Sequence, residues 1–307
     1  MRASRLLRTT GSALMLAAAA ARAEAPAPSS PPGPDLRSLC ETISMNPADG
    51  KELARRSECV LSGVLPSTDR IGEARMLAKA ALAAGEPSGG LMLYLVFQAD
   101  PRNQFVRAGQ PDLQAYRRLA ARSLQQRQEQ VEAIEGLGFA AGRNHAAAGV
   151  LLATYFHGTV APRNVQRTGA ITALLLRNGE RTPSVERFAH EADAIVRVGA
   201  GTQASVRGFM ETYRQAVDVV RSAYASQAGA GRACDAPQLT SVSAGAIQGA
   251  QYLPLQGNMV RDSYLVQGDW TESWTFQACD QEIPVKVGFA ADGWGGTTSS
   301  VHIDKGD

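Results

Sequence analysis

The sequence is 307 residues long, 44% hydrophobic and 20% charged, with a formal net charge of +2. This is the composition of a globular chain, and it excludes collagen-like and intrinsically disordered classes. Arg2, Arg5, Arg8 and Arg22 belong to an N-terminal leader; without them 27 basic residues face 29 acidic ones, a balance that argues against nucleic acid as a partner.

Residues 1–25 have the pattern of a secretory signal peptide. An arginine-bearing start is followed by "GSALMLAAAAA", apolar but too short to span a bilayer, and then by A-x-A sites at Ala21-Arg22-Ala23 or Ala23-Glu24-Ala25. No cysteine directly follows either site, so no lipid anchor is expected. No later run is long and apolar enough to make an integral membrane protein. The expected location is therefore the periplasm or the exterior, after cleavage of a Sec-type signal. Residues 26–35 form a Pro/Ser-rich linker with too few apolar side chains to build a core.

Residues 36–230 read as an α-helical domain. "DRIGEARMLAKAALAAG" places Ile71, Ala74, Leu77, Ala78 and Leu82 on one stripe, with Gly85 as its stop. "PDLQAYRRLAARSLQQRQEQVEAIEGLG" has Leu113, Tyr116, Ala120, Leu124, Val131 and Ile134 on its apolar side. "RNHAAAGVLLATYFHG" is apolar nearly all round, as for a helix packed on several sides. Three more segments, beginning at Thr168, Thr182 and Ala204, bring the expected total to eight or nine short helices.

An internal echo suggests repeats. "LYLVFQADPRN" and "TYFHGTVAPRN" each carry Pro-Arg-Asn seven residues after a tyrosine, at an offset of 61 residues. That offset exceeds one helix pair, so it implies alternate units or an inserted stretch. "AAAGVLLATYFHGTVAPRNVQRTGAITALLL" resembles a unit of the Sel1-like branch of the tetratricopeptide superfamily: A-x-x-L-A-x-x-Y, a glycine turn, then a helix rich in Ala and Leu. The resemblance implies a solenoid of helix pairs that acts as a non-catalytic scaffold with a face for a protein partner.

After "SQAGAGRACDAP" the helical period stops and short alternating runs begin, so residues 231–307 read as a small β-rich domain. The expected fold class is thus α+β in two parts: a helical repeat-like domain, then a disulfide-tied antiparallel β domain. Residues 234–307 carry a net charge of −6 and residues 24–233 one of +4, which either helps the two parts dock or leaves both surfaces simply solvated. Cys40, Cys59, Cys234 and Cys279 form an even set without C-x-x-C or zinc-ligand spacing, so disulfides are expected and no metal site or cofactor is. Of three possible pairings, Cys40–Cys59 with Cys234–Cys279 is favoured, because each pair falls within one compositional region.

The search for chemistry centres on "GDWTESWTFQACDQEIPVKVGFAADGWGG", which holds all three tryptophans. On a strand, Trp270, Glu272, Trp274 and Phe276 share a face, with Thr271, Ser273, Thr275 and Gln277 on the other. A tight turn at "CDQE" sets Trp274 opposite Val287 and Phe276 opposite Val285, which leaves Glu272 at the rim of a small core, facing Phe289. A carboxylate beside indoles also suits a carbohydrate site, so Trp270, Glu272, Trp274 and Trp294 are the candidate ligand-binding residues. Asp269 and Asp292 are candidate second carboxylates for glycoside hydrolysis. "ADGWGGTTSS" lacks the lysine and following helix of a phosphate loop and reads as a turn between strands. His190, Glu191 and Asp193 form a possible surface cluster. Arg117, Arg118, Arg122 and Arg127 give one helix a basic side, which either meets an anionic partner such as peptidoglycan, lipid headgroups or the acidic C-terminal part, or is a solvated face balanced by Glu129 and Glu132.

The tail pattern W-x-E-x-W-x-x-x-x-C, V-x-V-x-F, D-G-x-G-G-T is similar to a small C-terminal module of unassigned function found on exported proteobacterial proteins, and that resemblance implies no reaction. No catalytic residue is assigned. The expected function is a non-enzymatic scaffold for protein–protein interaction at the bacterial cell envelope. The alternative is a cell-wall (peptidoglycan) or polysaccharide-binding protein, with or without hydrolysis, acting through the Trp-rich module.

Overall fold

Several helices in this chain start where a side chain accepts a first-turn amide, and several stop where a residue enters the left-handed region. The computed structural model describes residues 36–43, 49–103, 106–107, 110–111, 124–198, 201–228 and 233–304. The leader, the linker, Arg117, Arg118 and Arg122 lie outside them. Nine α-helices occur among the described residues: α1 (Leu36–Glu41), α2 (Gly50–Leu61), α3 (Arg70–Ala83), α4 (Pro87–Ala99), α5 (Leu124–Gly142), α6 (Ala146–Gly158), α7 (Asn164–Arg177), α8 (Pro183–Arg197) and α9 (Val206–Ala228). Asp49, Asp69 and Thr182 cap α2, α3 and α8 by accepting from Glu52 N, Gly72 N and Val185 N.

The same C-terminal motif joins three successive helix pairs. After α3, Gly85 (φ 82°) lets Glu86 N donate to Ala81 O while its own amide donates to Leu82 O. After α5, Asn144 (φ 60°) plays that part, with His145 N on Ala140 O and Asn144 N on Ala141 O. After α7 it is Gly179 (φ 87°), with Glu180 N on Leu175 O. Each is a Schellman turn, which satisfies the last carbonyls of one helix and reverses the chain into the next. The pairs α3/α4, α5/α6 and α7/α8 follow, each helix packing chiefly on its neighbours in the chain.

The Pro-Arg-Asn echo falls between these pairs, after α4 and after α6. The 61-residue offset therefore relates the second helices of two described pairs, α4 and α6. Both asparagines do similar local work: Asn103 Nδ2 donates to Phe97 O (3.0 Å) and Asn164 Nδ2 to Thr159 O (2.7 Å). Arg102 joins a largely buried ion cluster with Arg75, Asp100 and Glu129, which fastens α3 and the end of α4 to α5. Arg117, Arg118 and Arg122 lie outside the described residues; among those described, Glu129 is buried against Arg75 and Arg102, and Glu132 pairs with Lys79 of α3. Where α4 crosses α5, glycines meet, and a Cβ on Gly90 would stand 2.2 Å from the Gly136 carbonyl oxygen.

Beyond a two-residue hairpin, β1 (Val106–Arg107) and β2 (Gln110–Pro111), the strands are β3 (Gln238–Ala244), β4 (Gln248–Tyr252), β5 (Leu265–Ala278), β6 (Gln281–Ala291) and β7 (Thr297–Ile303). They form one antiparallel sheet of order β3-β5-β6-β7, with β4 also on β5. β5 runs unbroken through Gly268 at φ 142°, where a Cβ would meet the Ile247 side chain at 2.7 Å. The β5–β6 loop is Cys279–Asp280, with Cys279 at φ 54°. The register is two residues from the expected one: Trp270 faces Phe289, Glu272 Val287, Trp274 Val285 and Phe276 Ile283. A two-residue shift keeps every side chain on its face, so the hydrophobic pattern alone fixes the face and leaves the turn to choose between the registers.

The sheet buries its Trp/Phe/Val face under α9. Phe209 packs on Trp274 (centroids 4.6 Å apart), Tyr213 on Phe276 (6.0 Å), and the Tyr224 hydroxyl donates to Asp280 (2.9 Å). One hydrophobic cluster runs from Val160 and Val165 through Ile195 and Phe209 to Trp274 and Val287, so the core crosses residue 231 without a break. Backbone bonds reinforce the joint, with Val160 N on Gly295 O (2.6 Å) and Leu265 N on Val160 O (3.0 Å). Both disulfides form as favoured: Cys40–Cys59 ties α1 to α2, and Cys234–Cys279 ties the start of the sheet region to the β5–β6 loop.

Candidate functional site

The aromatic–carboxylate cluster of β5 lies inside the protein. Trp274 and Glu272 have no exposed surface and Trp270 is 3% exposed. The expectation that Glu272 sits at a rim is thereby corrected. The α8–α9 connection folds over this part of the sheet and supplies Thr202 and Gln203, contacts that no strand pattern reveals. Glu272 Oε1 accepts from Thr202 Oγ1, Gln203 N and Trp270 Nε1, each at 2.9 Å, and Oε2 accepts from Trp274 Nε1 at 2.8 Å. Four donors thus engage the carboxylate, and no cation is among them. A buried ionised carboxylate is costly without such donors, and their dipoles serve here in place of a counter-ion. With both oxygens engaged inside the core, Glu272 has no free face to offer a substrate, and the two indoles have no open face for a sugar ring.

The other candidates do not converge on it. Trp294 is half-buried in the β6–β7 turn, where its amide and that of Gly296 donate to Asp292 Oδ1 at 2.7 and 3.0 Å. Burial raises the Asp292 carboxyl above its usual range, against the lowering effect of these backbone bonds. The turn is thus closed by its own aspartate, with Gly293 and Gly295 at positive φ, and its amides are engaged there. Asp269 is exposed on the opposite face of β5, so it cannot form a cleft with Glu272.

The histidines divide by environment. His190 is exposed, while Glu191 turns to His157 and Asp193 pairs with Arg197, so the surface cluster does not assemble. His145 caps α6, its Nδ1 accepting from Ala148 N (3.4 Å). His157 is 6% exposed, stacked on Phe188 at 3.9 Å, with Nε2 2.7 Å from Glu191 Oε2. Its Nδ1 has no hydrogen-bond partner among the described residues. Burial pulls this imidazole below the ordinary histidine range, opposed by Glu191 and assisted by the charges of Arg207 and Arg187. His157 and Glu191 lie on helices of different pairs, which is why spacing along the chain gave no sign of them.

A second feature absent from the sequence reading is a groove of about 660 Å³ between α3, α4, α5 and the β4–β5 connection. Its walls are Leu82, Leu93, Phe139, Met259 and Val260. The glycines of "EGLGFAAG" form its floor: a Cβ on Gly138 would come within 3.0 Å of Val260, and one on Gly142 within 3.2 Å of the Met259 sulfur. At the rim, Lys79 pairs with Glu132 (2.9 Å), and Glu135 Oε1 accepts from Gln256 N and Gly257 N. Arg143 is exposed and lies over the Phe139 ring, 3.5 Å from its centroid. None of the described carboxylates is within ion-pair distance of it.

No family model, no curated protein and no solved structure matches the chain. No described helix is long and apolar enough to cross a membrane.

Proposed function

We propose that the protein is a non-catalytic scaffold, exported across the inner membrane by its N-terminal signal, that binds a protein partner at the bacterial cell envelope. The observation that carries this reading is the succession of helix pairs joined by one repeated turn motif at Gly85, Asn144 and Gly179. Pairs stacked in this way bury their inner sides on one another and leave extended lateral surfaces for a partner. Two disulfides agree with an oxidising compartment. The burial of Trp270, Glu272 and Trp274 weighs against a polysaccharide site at these three residues.

The test is a crosslinking pull-down of the mature protein from envelope extracts. Recovery of one stoichiometric protein partner is expected, with the bait itself in the periplasmic or secreted fraction. Enrichment on peptidoglycan alone, with no protein partner, overturns the proposal.

A further inference from the structure

We infer that the groove between α3 and α5 is a binding site for a small amphipathic anion: a single apolar chain bearing a carboxylate. Its volume of about 660 Å³ lies within the usual range for small-ligand sites. The walls are aliphatic and aromatic, and Met259 supplies the flexible, polarisable surface that adapts to chains of different shape. Burying such a chain gains free energy in proportion to the apolar area it removes from water.

Charge sets the head group. Of the four ionisable side chains around the groove, Lys79 and Glu132 neutralise each other, and Glu135 is held by two backbone amides of the β4–β5 connection. Arg143 alone has no carboxylate partner among the described residues. Its guanidinium lies over Phe139, 3.5 Å from the ring centroid, at the exposed mouth of the groove. A guanidinium presents paired N–H donors that match the two oxygens of a carboxylate. An anionic head at Arg143 with its tail along Phe139, Leu82 and Met259 satisfies both halves of the site. A cationic amphiphile meets the wrong charge, and a neutral one leaves Arg143 unpaired.

The site does not depend on the scaffold reading, because it could serve a free ligand whether or not a protein partner exists. Its test is isothermal titration of the mature protein with dodecanoate below its micellar concentration, beside dodecyltrimethylammonium and anionic phospholipid vesicles. Dodecanoate should bind with one-to-one stoichiometry. Arg143→Glu should weaken it about tenfold or more, and Ala83→Trp, which fills the groove from an exposed helical position, should abolish it. Both variants should retain the native circular dichroism spectrum. Equal affinity for the cationic amphiphile, no saturable dodecanoate binding, or unchanged affinity in Arg143→Glu overturns the inference. So does binding to vesicles alone, which would be surface adsorption rather than capture of a single chain.

Discussion

Replacing Thr202 by Val changes one hydrogen-bonding atom and almost no volume, and the structure assigns that atom two tasks. Thr202 Oγ1 donates to Glu272 Oε1 (2.9 Å) and accepts from Ala204 N (3.1 Å), at a position 7% exposed. A hydrogen bond to a charged group contributes about 1.5–3 kcal/mol, and a buried donor left unpaired costs about 1–3 kcal/mol. Thr202→Val loses the first and strands the Ala204 amide, so a loss of about 3 kcal/mol or more is expected, a large share of the roughly 5–15 kcal/mol that holds a domain folded. Thr202→Ser keeps both bonds and removes one methyl, at a cost of about 1 kcal/mol. Urea unfolding followed by tryptophan fluorescence measures both, since Trp270 and Trp274 bond to the same carboxylate. If Val is no more destabilising than Ser, the four-donor account of Glu272 is wrong.

Gly90→Ala should destabilise the protein by about 1–3 kcal/mol or prevent folding, because its Cβ has no room beside Gly136; the urea midpoint checks this. Acidification should weaken the helical region in two steps. Burial raises the Asp100 carboxyl, but hydrogen bonds and charge from Arg102, with a bond from Arg75, outweigh it and leave it below its ordinary value. Its stabilisation is therefore present above the unfolded value of about 3.9 and lost as pH falls through the folded one. His157, depressed by burial, favours its neutral form on folding, so its contribution holds above about pH 6.5 and declines below that. Stability measured against pH should lose the upper step in His157→Gln and the lower step in Asp100→Asn. Removing the Cys234–Cys279 bond with a double serine variant opens a loop of 45 residues and should cost about 2–4 kcal/mol, read as a lowered melting temperature.

The helical region was legible where local chemistry decides the outcome. Asp69 and Gly85 bound α3 as caps and stops should, and Ala74, Leu77 and Ala78 face inward as their period requires. The inner face of β5 was legible for the same reason, since alternation survives an error of two residues in register. What could not be read was set by contacts distant in sequence. Glu272 looks like a rim residue from its strand alone, and only the fold of Thr202 and Gln203 over it, about 70 positions away, makes it interior. A composition shift near residue 231 marked a change of secondary structure correctly but carried no information about the core, which α9 and β5 share. The groove depends on four separated segments and on glycines whose effect is the absence of a side chain.

The tryptophan–glutamate cluster acts as a structural joint and not as a binding surface, and the indole N–H resonances of uniformly ¹⁵N-labelled protein test this directly. Three tryptophans give three signals. Those of Trp270 and Trp274 should exchange with solvent only on unfolding, and should stay unshifted on adding chito-oligosaccharides or peptidoglycan fragments. Rapid exchange of either signal, or a saturable shift with a sugar ligand, would contradict the claim.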